Sequence, residues 1–101
     1  MTQAEMIARF RRHVELVQTD FERLEAAVGP DLKRLLGGAK HLLFDINLLI
    51  LDPKILAEPR TDERLAYWLQ SGERLLREAE EQIAEIATIA REFGPQARMM
   101  G

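Results

Sequence analysis

Apolar residues recur at spacings of three and four along three stretches of the sequence, and this repeat restricts the fold more than any other feature. It places apolar side chains on one face of an α-helix, and that face must be buried against another helix. The first stretch contains Ile7, Phe10, Val14, Val17, Phe21, Leu24 and Val28. The third contains Leu65, Leu69, Gly72, Leu76, Ala79, Ile83, Ile86, Ala90 and Phe93. The sequence therefore predicts an all-α protein whose helices pack as in a coiled coil.

The ends of the predicted helices follow from glycine and proline. Gly29-Pro30 is typical of a helix end, because the residue before a proline disfavours the helical region. Asp52-Pro53 ends the second helix in the same way, and a short helical turn is expected near 53–57. Gly94-Pro95 predicts the end of the third helix. The predicted helices therefore span about 2–28, 31–51 and 61–93.

The arrangement of these helices follows from their connections. Thr2 and Glu5 have the spacing of a capping box, which specifies the start of the first helix. Because only a few residues join the first two helices, we expect them to be antiparallel neighbours. The sequence thus predicts an antiparallel, up-down-up three-helix bundle. Residues 1–95 are expected to form a single helical-bundle domain, and 96–101 a flexible C-terminal tail.

The second predicted helix carries more apolar surface than one helix face holds. Its inner seam is Leu32, Leu36, Ala39, Leu43, Ile46 and Ile50. Phe44, Leu48 and Leu51 form a second stripe, because at about 100° per residue Leu48 lies nearly opposite Ile46. Gly37 and Gly38 interrupt the helix and indicate either a close helix contact or a kink. A single chain is not expected to cover both apolar faces.

Exposed apolar surface of this size generally marks an interface. We therefore expect the bundle to dimerise into a larger bundle through apolar and aromatic side chains from the second helix, the loop and the third helix. The predicted interface residues are Phe44, Leu48, Leu51, Ile55, Leu56, Tyr67 and Trp68. In the alternative, the loop from Pro53 to Pro59 folds over the second stripe within one chain.

His41 and Asp45 are four residues apart on the second helix, so they lie on one face and form a candidate ion pair. If the pair is interfacial, protonation of His41 makes association sensitive to pH. Asp45 could also orient the imidazole in a small helical phosphotransfer protein or enzyme. A third alternative is a bundle that binds a metal or an apolar ligand between its helices. Two side chains do not make a metal site, and none is predicted.

Composition excludes several classes of function. The chain has 101 residues with 47% hydrophobic and 31% charged residues, which is the composition of one globular domain. It has no cysteine, so disulfides and thiolate chemistry are excluded, and a cytoplasmic location is expected. The net charge of −3 disfavours nucleic acid as a partner. No apolar run is long enough to cross a membrane, so we expect no membrane partner.

These patterns favour a non-catalytic helical protein–protein interaction module over an enzyme. We expect it to act as a homodimer, or with another protein, as an adaptor, assembly factor, chaperone-like protein or regulator. No cofactor is expected. The Ala-, Leu- and Arg-rich composition is typical of a bacterial protein.

Overall fold

Five α-helices and one π-helical segment make up most of the chain in this computed structural model, which describes the backbone of residues 1–100 and the side chains of residues 1–93. The α-helices are α1 (Gln3–Ala27), α2 (Pro30–Leu35), α3 (Gly37–Asp45), α4 (Pro53–Leu56) and α5 (Asp62–Met100). The π-helical segment, Ile46–Ile50, continues α3 directly. No β-strand occurs within residues 1–100, so the prediction of an all-α protein is confirmed.

α1 begins at the predicted capping box, in which the Thr2 hydroxyl accepts a hydrogen bond from the Glu5 amide and the Glu5 carboxylate accepts one from the Thr2 amide. It ends at Val28, whose backbone is extended and whose amide donates to the carbonyl of Leu24 at 3.1 Å. Gly29 is also extended, with φ −78° and ψ 177°. The helix therefore ends through the extended backbone favoured before a proline.

The predicted helix 31–51 is wrong as a single uniform α-helix, because the structure divides it into α2, α3 and the π-helical segment. At Leu36 the amide is shared between the carbonyls of Leu32 and Lys33, both at 3.1 Å, so the backbone tightens there for one turn. The Leu36 side chain is fully buried. The join between α2 and α3 is thus fixed in the core.

The two glycines of the second helical stretch have different surroundings. A Cβ on Gly38 would lie 2.6 Å from Oε1 of Gln82 in α5, whereas nothing lies within 4 Å of a Cβ on Gly37. Gly38 therefore marks a close approach to α5, and Gly37 lies beside the irregular turn at Leu36. Gly38 thus has a close side-chain neighbour in α5, and Gly37 has none.

The π-helical segment is held by the hydrogen bond from the Leu51 amide to the carbonyl of Ile46, at 3.0 Å. A π turn contains one residue more than an α turn, so Leu51 comes round to the side of Ile46. Leu51 is only 8% exposed and belongs to the core. Its predicted place on the second stripe was wrong, because that prediction used the angular step of a regular α-helix.

α5 continues to Met100, so the predicted end of the third helix at residue 93 is wrong. Proline restricts the residue before it through contacts that involve that residue's Cβ, and Gly94 has none. A helical backbone across Gly94-Pro95 is therefore less hindered than at another residue pair. The flexibility expected of the tail 96–101 stays a prediction, and residue 101 lies outside the described residues.

α5 packs against both α1 and α3, and it carries more of the core residues than any other helix. Along α1, Gln3 contacts Asp62 and His13 contacts Glu73, so α1 and α5 run in the same direction. Along α3 the order is reversed, because Gly38 lies near Gln82 while Ile50 lies near Gly72. The buried core residues are Phe10, Val14, Val17, Phe21, Leu36, Ala39, Leu43, Ile46, Ile50, Leu51, Leu65, Leu69, Leu76, Ala79, Ile83 and Ile86.

Gly72 lies where side chains from the other two helical stretches meet α5. A Cβ at this position would lie 2.6 Å from Cζ of Phe10 in α1 and 2.8 Å from Cγ2 of Ile50 in the π-helical segment. Atoms do not approach so closely without displacement, so a side chain at residue 72 would force the helices or their side chains apart. The glycine thus sets the spacing at this junction.

The molecule is long and narrow, with extents of 56 × 21 × 16 Å. Its accessible surface is 7317 Å². A compact monomer of 11.6 kDa exposes roughly 5,800 Å². A single copy therefore leaves more surface in water than a chain of this size usually does. Among the described residues, no helix combines the length and the apolar character needed to span a membrane.

Candidate functional site

The exposed apolar stripe, defined here as Phe44 and Leu48, is the candidate functional site. Phe44 is 60% exposed and Leu48 is 55% exposed. They are four residues apart, across the join between α3 and the π-helical segment, so they lie next to each other on one side of the helix. Two large apolar side chains that remain in water side by side form an exposed apolar patch.

A groove between α1 and α3 adjoins this stripe. Phe44 forms one lip of the groove, and the buried side chains of Phe21 and Leu43 lie beneath it. The remaining lining is polar: Gln18, Glu22, Glu25, Lys40 and Asn47. An apolar floor with a polar rim suits the side chain of a partner helix, and it also fits the alternative of an apolar ligand between helices.

The other predicted interface residues are placed differently. Tyr67, on α5, is 68% exposed, whereas Ile55 is half-buried. Leu56 and Trp68 are half-buried and pack against the core. α4 lies against the π-helical segment and Leu51 lies in the core, whereas Phe44 and Leu48 remain in water. The dimerisation expected through this surface stays a prediction.

The indole of Trp68 has a structural role that the sequence did not reveal. Its Nε1–H donates to the carbonyl of Ile50 at 3.1 Å. Carbonyls at the end of a helical segment lack a partner within the segment, and Pro53, which follows closely, has no amide hydrogen to offer. Trp68 thus caps the π-helical segment from α5 and fixes the backbone next to the exposed stripe.

His41 and Asp45 form the predicted pair on the same side of the chain's second helical stretch. Nε2 of His41 lies 3.4 Å from Oδ2 of Asp45. The imidazole is 74% exposed and the carboxylate 32% exposed, so water screens their attraction. The pair orients the imidazole at the surface close in sequence to Phe44.

A second histidine lies in a stronger electrostatic environment that the sequence did not single out. Nδ1 of His13 in α1 is 3.0 Å from Oε2 of Glu73, and its Nε2 is 2.7 Å from Oε1 of Glu80, both in α5. Each ring nitrogen must donate a hydrogen to its carboxylate, which requires the protonated imidazolium. His13 therefore links α1 to α5 as a cation between two anions.

The charge of His13 follows from this geometry. Partial burial of the imidazole lowers its pKa, but the hydrogen bond to Glu73 and the negative charges of Glu73 and Glu80 outweigh that effect. The pKa of His13 is raised above its ordinary value of 6.5. The sequence contains one sign of this cluster: Glu73 and Glu80 are seven residues apart on α5 and so share a face. The register between α1 and α5 was not available from the sequence.

His13, Glu73 and Glu80 do not form a metal centre. The two ring nitrogens point away from each other, and each is engaged by a different carboxylate, so the three side chains do not converge on one point. Within the part of the chain that the structure describes, no group of three or more histidine, aspartate and glutamate side chains has the arrangement that a metal ion requires.

Two further leucines of the second helical stretch are exposed. Leu35 is 55% exposed and Leu49 is 51% exposed, on the flank away from Phe44. Leu42, seven residues from each of them, packs against the core. This flank matches the stripe in exposed apolar character, and its leucines are separated by 14 residues rather than adjacent.

A scan against protein-family models, a search of curated proteins and a search of solved structures each find no match to this chain. The geometry of the chain itself is therefore the basis for the function proposed below.

Proposed function

We propose that this chain is a non-catalytic helical interaction module that acts as a homodimer through the exposed apolar stripe. In this proposal its three long helical stretches form an up-down-up bundle, and two copies associate into a larger bundle. Adaptor, assembly-factor, chaperone-like and regulatory roles all use such a module. The absence of cysteine and the bacterial type of composition favour action in a bacterial cytoplasm.

The observation that carries the proposal is the side-by-side exposure of Phe44 and Leu48. Removing apolar surface from water stabilises an association by roughly 25 cal/mol per Å². Phe44 and Leu48 expose more than half of their surface each, and they belong to a helix whose other face already fills the core. Burial against a second copy removes the stripe from water without any change in the core.

The total surface of the chain supports the same interpretation. A standard interface buries about 800 Å² on each partner. The accessible surface of 7317 Å² exceeds that of a typical compact monomer by more than this amount. Part of the excess comes from α5, which is much longer than α1 and α3. Ile55, Leu56, Tyr67 and Trp68 stay predicted contacts at the margin of the interface.

Light scattering across a dilution series tests the proposal. We expect a dimeric wild-type protein, and a folded monomer for Phe44→Asp/Leu48→Asp, because a buried unpaired carboxylate is strongly unfavourable. The matched control is Leu35→Asp/Leu49→Asp, which places the same two charges at leucines of similar exposure on the other flank. The control is expected to remain dimeric, with helicity checked by circular dichroism for every variant.

Three outcomes contradict the proposal. A wild-type protein that is monomeric at all concentrations contradicts the proposed homodimer. A Phe44→Asp/Leu48→Asp variant that stays dimeric shows that the exposed apolar stripe is not the interface. If Leu35→Asp/Leu49→Asp is monomeric while Phe44→Asp/Leu48→Asp stays dimeric, the interface lies on the flank of Leu35 and Leu49.

A small phosphotransfer protein or enzyme is the alternative, and the oriented His41–Asp45 pair is the observation that favours it. Phosphorylation of His41 by a kinase, seen as acid-labile label that is lost in His41→Ala, would support this alternative. The same result would contradict a purely non-catalytic role.

A further inference from the structure

The charges at the two ends of the exposed apolar stripe have opposite signs. Lys40, Phe44, Leu48 and Asp52 follow one another at a constant spacing of four residues. The Lys40 side chain is 70% exposed, and Asp52, just beyond the π-helical segment, is half-buried. The order along the chain is therefore cation, apolar, apolar, anion, with the midpoint between Phe44 and Leu48.

This order is self-complementary when a second copy is turned end to end. In an antiparallel pairing about the midpoint, Phe44 meets the partner's Leu48 and Lys40 meets the partner's Asp52. In a parallel pairing, Lys40 meets the partner's Lys40 and the two aspartates meet each other. Opposite charges across an interface fix its orientation, and like charges exclude the alternative. The charge order thus selects the antiparallel pairing.

The backbone geometry suits this pairing. Residues four apart form a ridge on a helix surface, and packing such ridges between each other is the commonest way in which two helices contact. Lys40, Phe44 and Leu48 form a ridge of this kind, and the groove beside Phe44 has room for a side chain from the opposing ridge. The expected crossing angle of the two helices is about −50°.

The charges that surround Lys40 and Asp52 within one chain leave both available. Nζ of Lys40 lies 4.0 Å from Oε2 of Glu25 in α1, at the outer limit of an ion pair. Oδ1 of Asp52 accepts the amide hydrogen of Lys54 at 3.0 Å, and its second oxygen has no such role in the cap. In the antiparallel pairing, Lys40 is a cation that lies between two anions, Glu25 of its own chain and the partner's Asp52.

We propose that the occupant of the stripe is a second copy of this chain, docked antiparallel on α3 so that Lys40 pairs with the partner's Asp52 at both ends of the contact. The inference rests on the proposed homodimer and adds its orientation. It names the two charged residues that select this partner over any chain lacking the same order of charges.

Charge reversal tests the orientation through the dimer dissociation constant, measured on the full chain. The contact occurs twice in a symmetric dimer, so Lys40→Glu and Asp52→Lys are each expected to raise Kd at least tenfold, on the order of what two reversed charge contacts cost. The double variant Lys40→Glu/Asp52→Lys restores the opposite charges and is expected to return Kd to within about threefold of the wild-type value.

Two further variants separate the interface from effects inside one chain. Asp52→Asn removes the charge but keeps a side chain that caps α4, so it is expected to weaken the dimer without loss of helicity. Glu25→Gln removes the anion that competes for Lys40 within the chain and is expected to lower Kd, since Lys40 then pairs with the partner's Asp52 alone.

The outcomes distinguish the orientation from the proposed function. If the wild type is a dimer and the double variant has a Kd raised by the combined effects of the two single charge reversals, the antiparallel pairing is contradicted and the homodimer is not. If Asp52→Lys fails to fold, additive effects of Lys40→Gln and Asp52→Asn overturn the antiparallel pairing in the same way. A monomeric wild type overturns both the orientation and the homodimer.

Discussion

At the scale of single residues, His13 is the side chain whose charge state matters most to the contact between α1 and α5. Both of its ring nitrogens donate to carboxylates of α5, so the contact is complete only when the imidazole is protonated. Arg9, one turn before His13 on α1, and Arg77, one turn after Glu73 on α5, line a surface depression together with Glu73.

We predict that the stabilisation from His13 decreases as the pH rises. Because the pKa is raised in the folded chain, the contribution is fully present below 6.5, the ordinary pKa, and is lost as the pH passes through the raised value. The difference in melting temperature between the wild type and His13→Gln is therefore expected to be larger at about pH 5.5 than at about pH 8.5.

His41→Gln is the matched control, because the imidazole of His41 is 74% exposed and its ion pair is with Asp45 on its own helix. It is expected to change the melting temperature little at either pH. A destabilisation by His13→Gln that stays constant or grows with pH would contradict the link between α1 and α5.

The residues of the candidate site could be predicted only in part. Phe44 and Leu48 follow from a surplus of apolar residues on one helix, which is a local property of the sequence. His13 could not be assigned, because its importance depends on which residues of α5 lie opposite it. That register is set by packing at Gly72 and Phe10, far apart in the sequence.

At the scale of helices, Gly72 is the position at which packing limits the sequence most severely. An alanine is better than glycine in a helix by about 1 kcal/mol, yet its Cβ would lie 2.6 Å from Phe10 and 2.8 Å from Ile50. Phe10 and Ile50 are both buried, so neither moves without disturbing other core contacts.

We predict that Gly72→Ala lowers the free energy of unfolding by about 1–2 kcal/mol, since overpacking costs more than the gain in helix propensity. Gly37→Ala is the matched control, because nothing lies within 4 Å of its Cβ, and it is expected to be neutral or stabilising by up to about 1 kcal/mol. Urea denaturation of both variants measures the difference. A Gly72→Ala variant as stable as Gly37→Ala would contradict the prediction, because it would show that Phe10 and Ile50 move aside for a methyl group at little cost.

The helices themselves were largely predictable, and their irregularities were not. The start and end of α1 follow from Thr2, Glu5 and Pro30, whose effects on the backbone are local. The π-helical segment was not predicted, because the apolar pattern continues through it; its one local feature is Asn47, whose side-chain amide donates to the carbonyl of Leu43 at 2.9 Å. It is stabilised by long-range packing of Ile46, Ile50 and Leu51 and by the hydrogen bond from Trp68.

At the scale of the whole molecule, length is the dominant feature. The radius of gyration over Cα atoms is 16.4 Å. A compact domain of about 100 residues has a value near 13 Å. The difference arises because α5 spans the full length while α1 and the second helical stretch cover only part of it. The unequal predicted lengths of the helices already indicated this overhang.

We predict that the monomeric variant Phe44→Asp/Leu48→Asp keeps this elongated shape. Small-angle X-ray scattering at low concentration is expected to give a radius of gyration near 16.4 Å, since the packing of α5 on α1 and α3 does not involve either substituted residue. A value near 13 Å, that of a compact domain, would contradict an extended α5.

The directions of the helices have an electrical consequence for the assembly. Each helix is a dipole, equivalent to roughly half a positive charge at its start and half a negative charge at its end. α1 and α5 point the same way and α3 points the other way, so one copy retains the net backbone dipole of about one helix along its 56 Å axis. An antiparallel second copy reverses that dipole. The proposed dimer therefore opposes, along the axis of each copy, part of a long-range field that each copy carries alone.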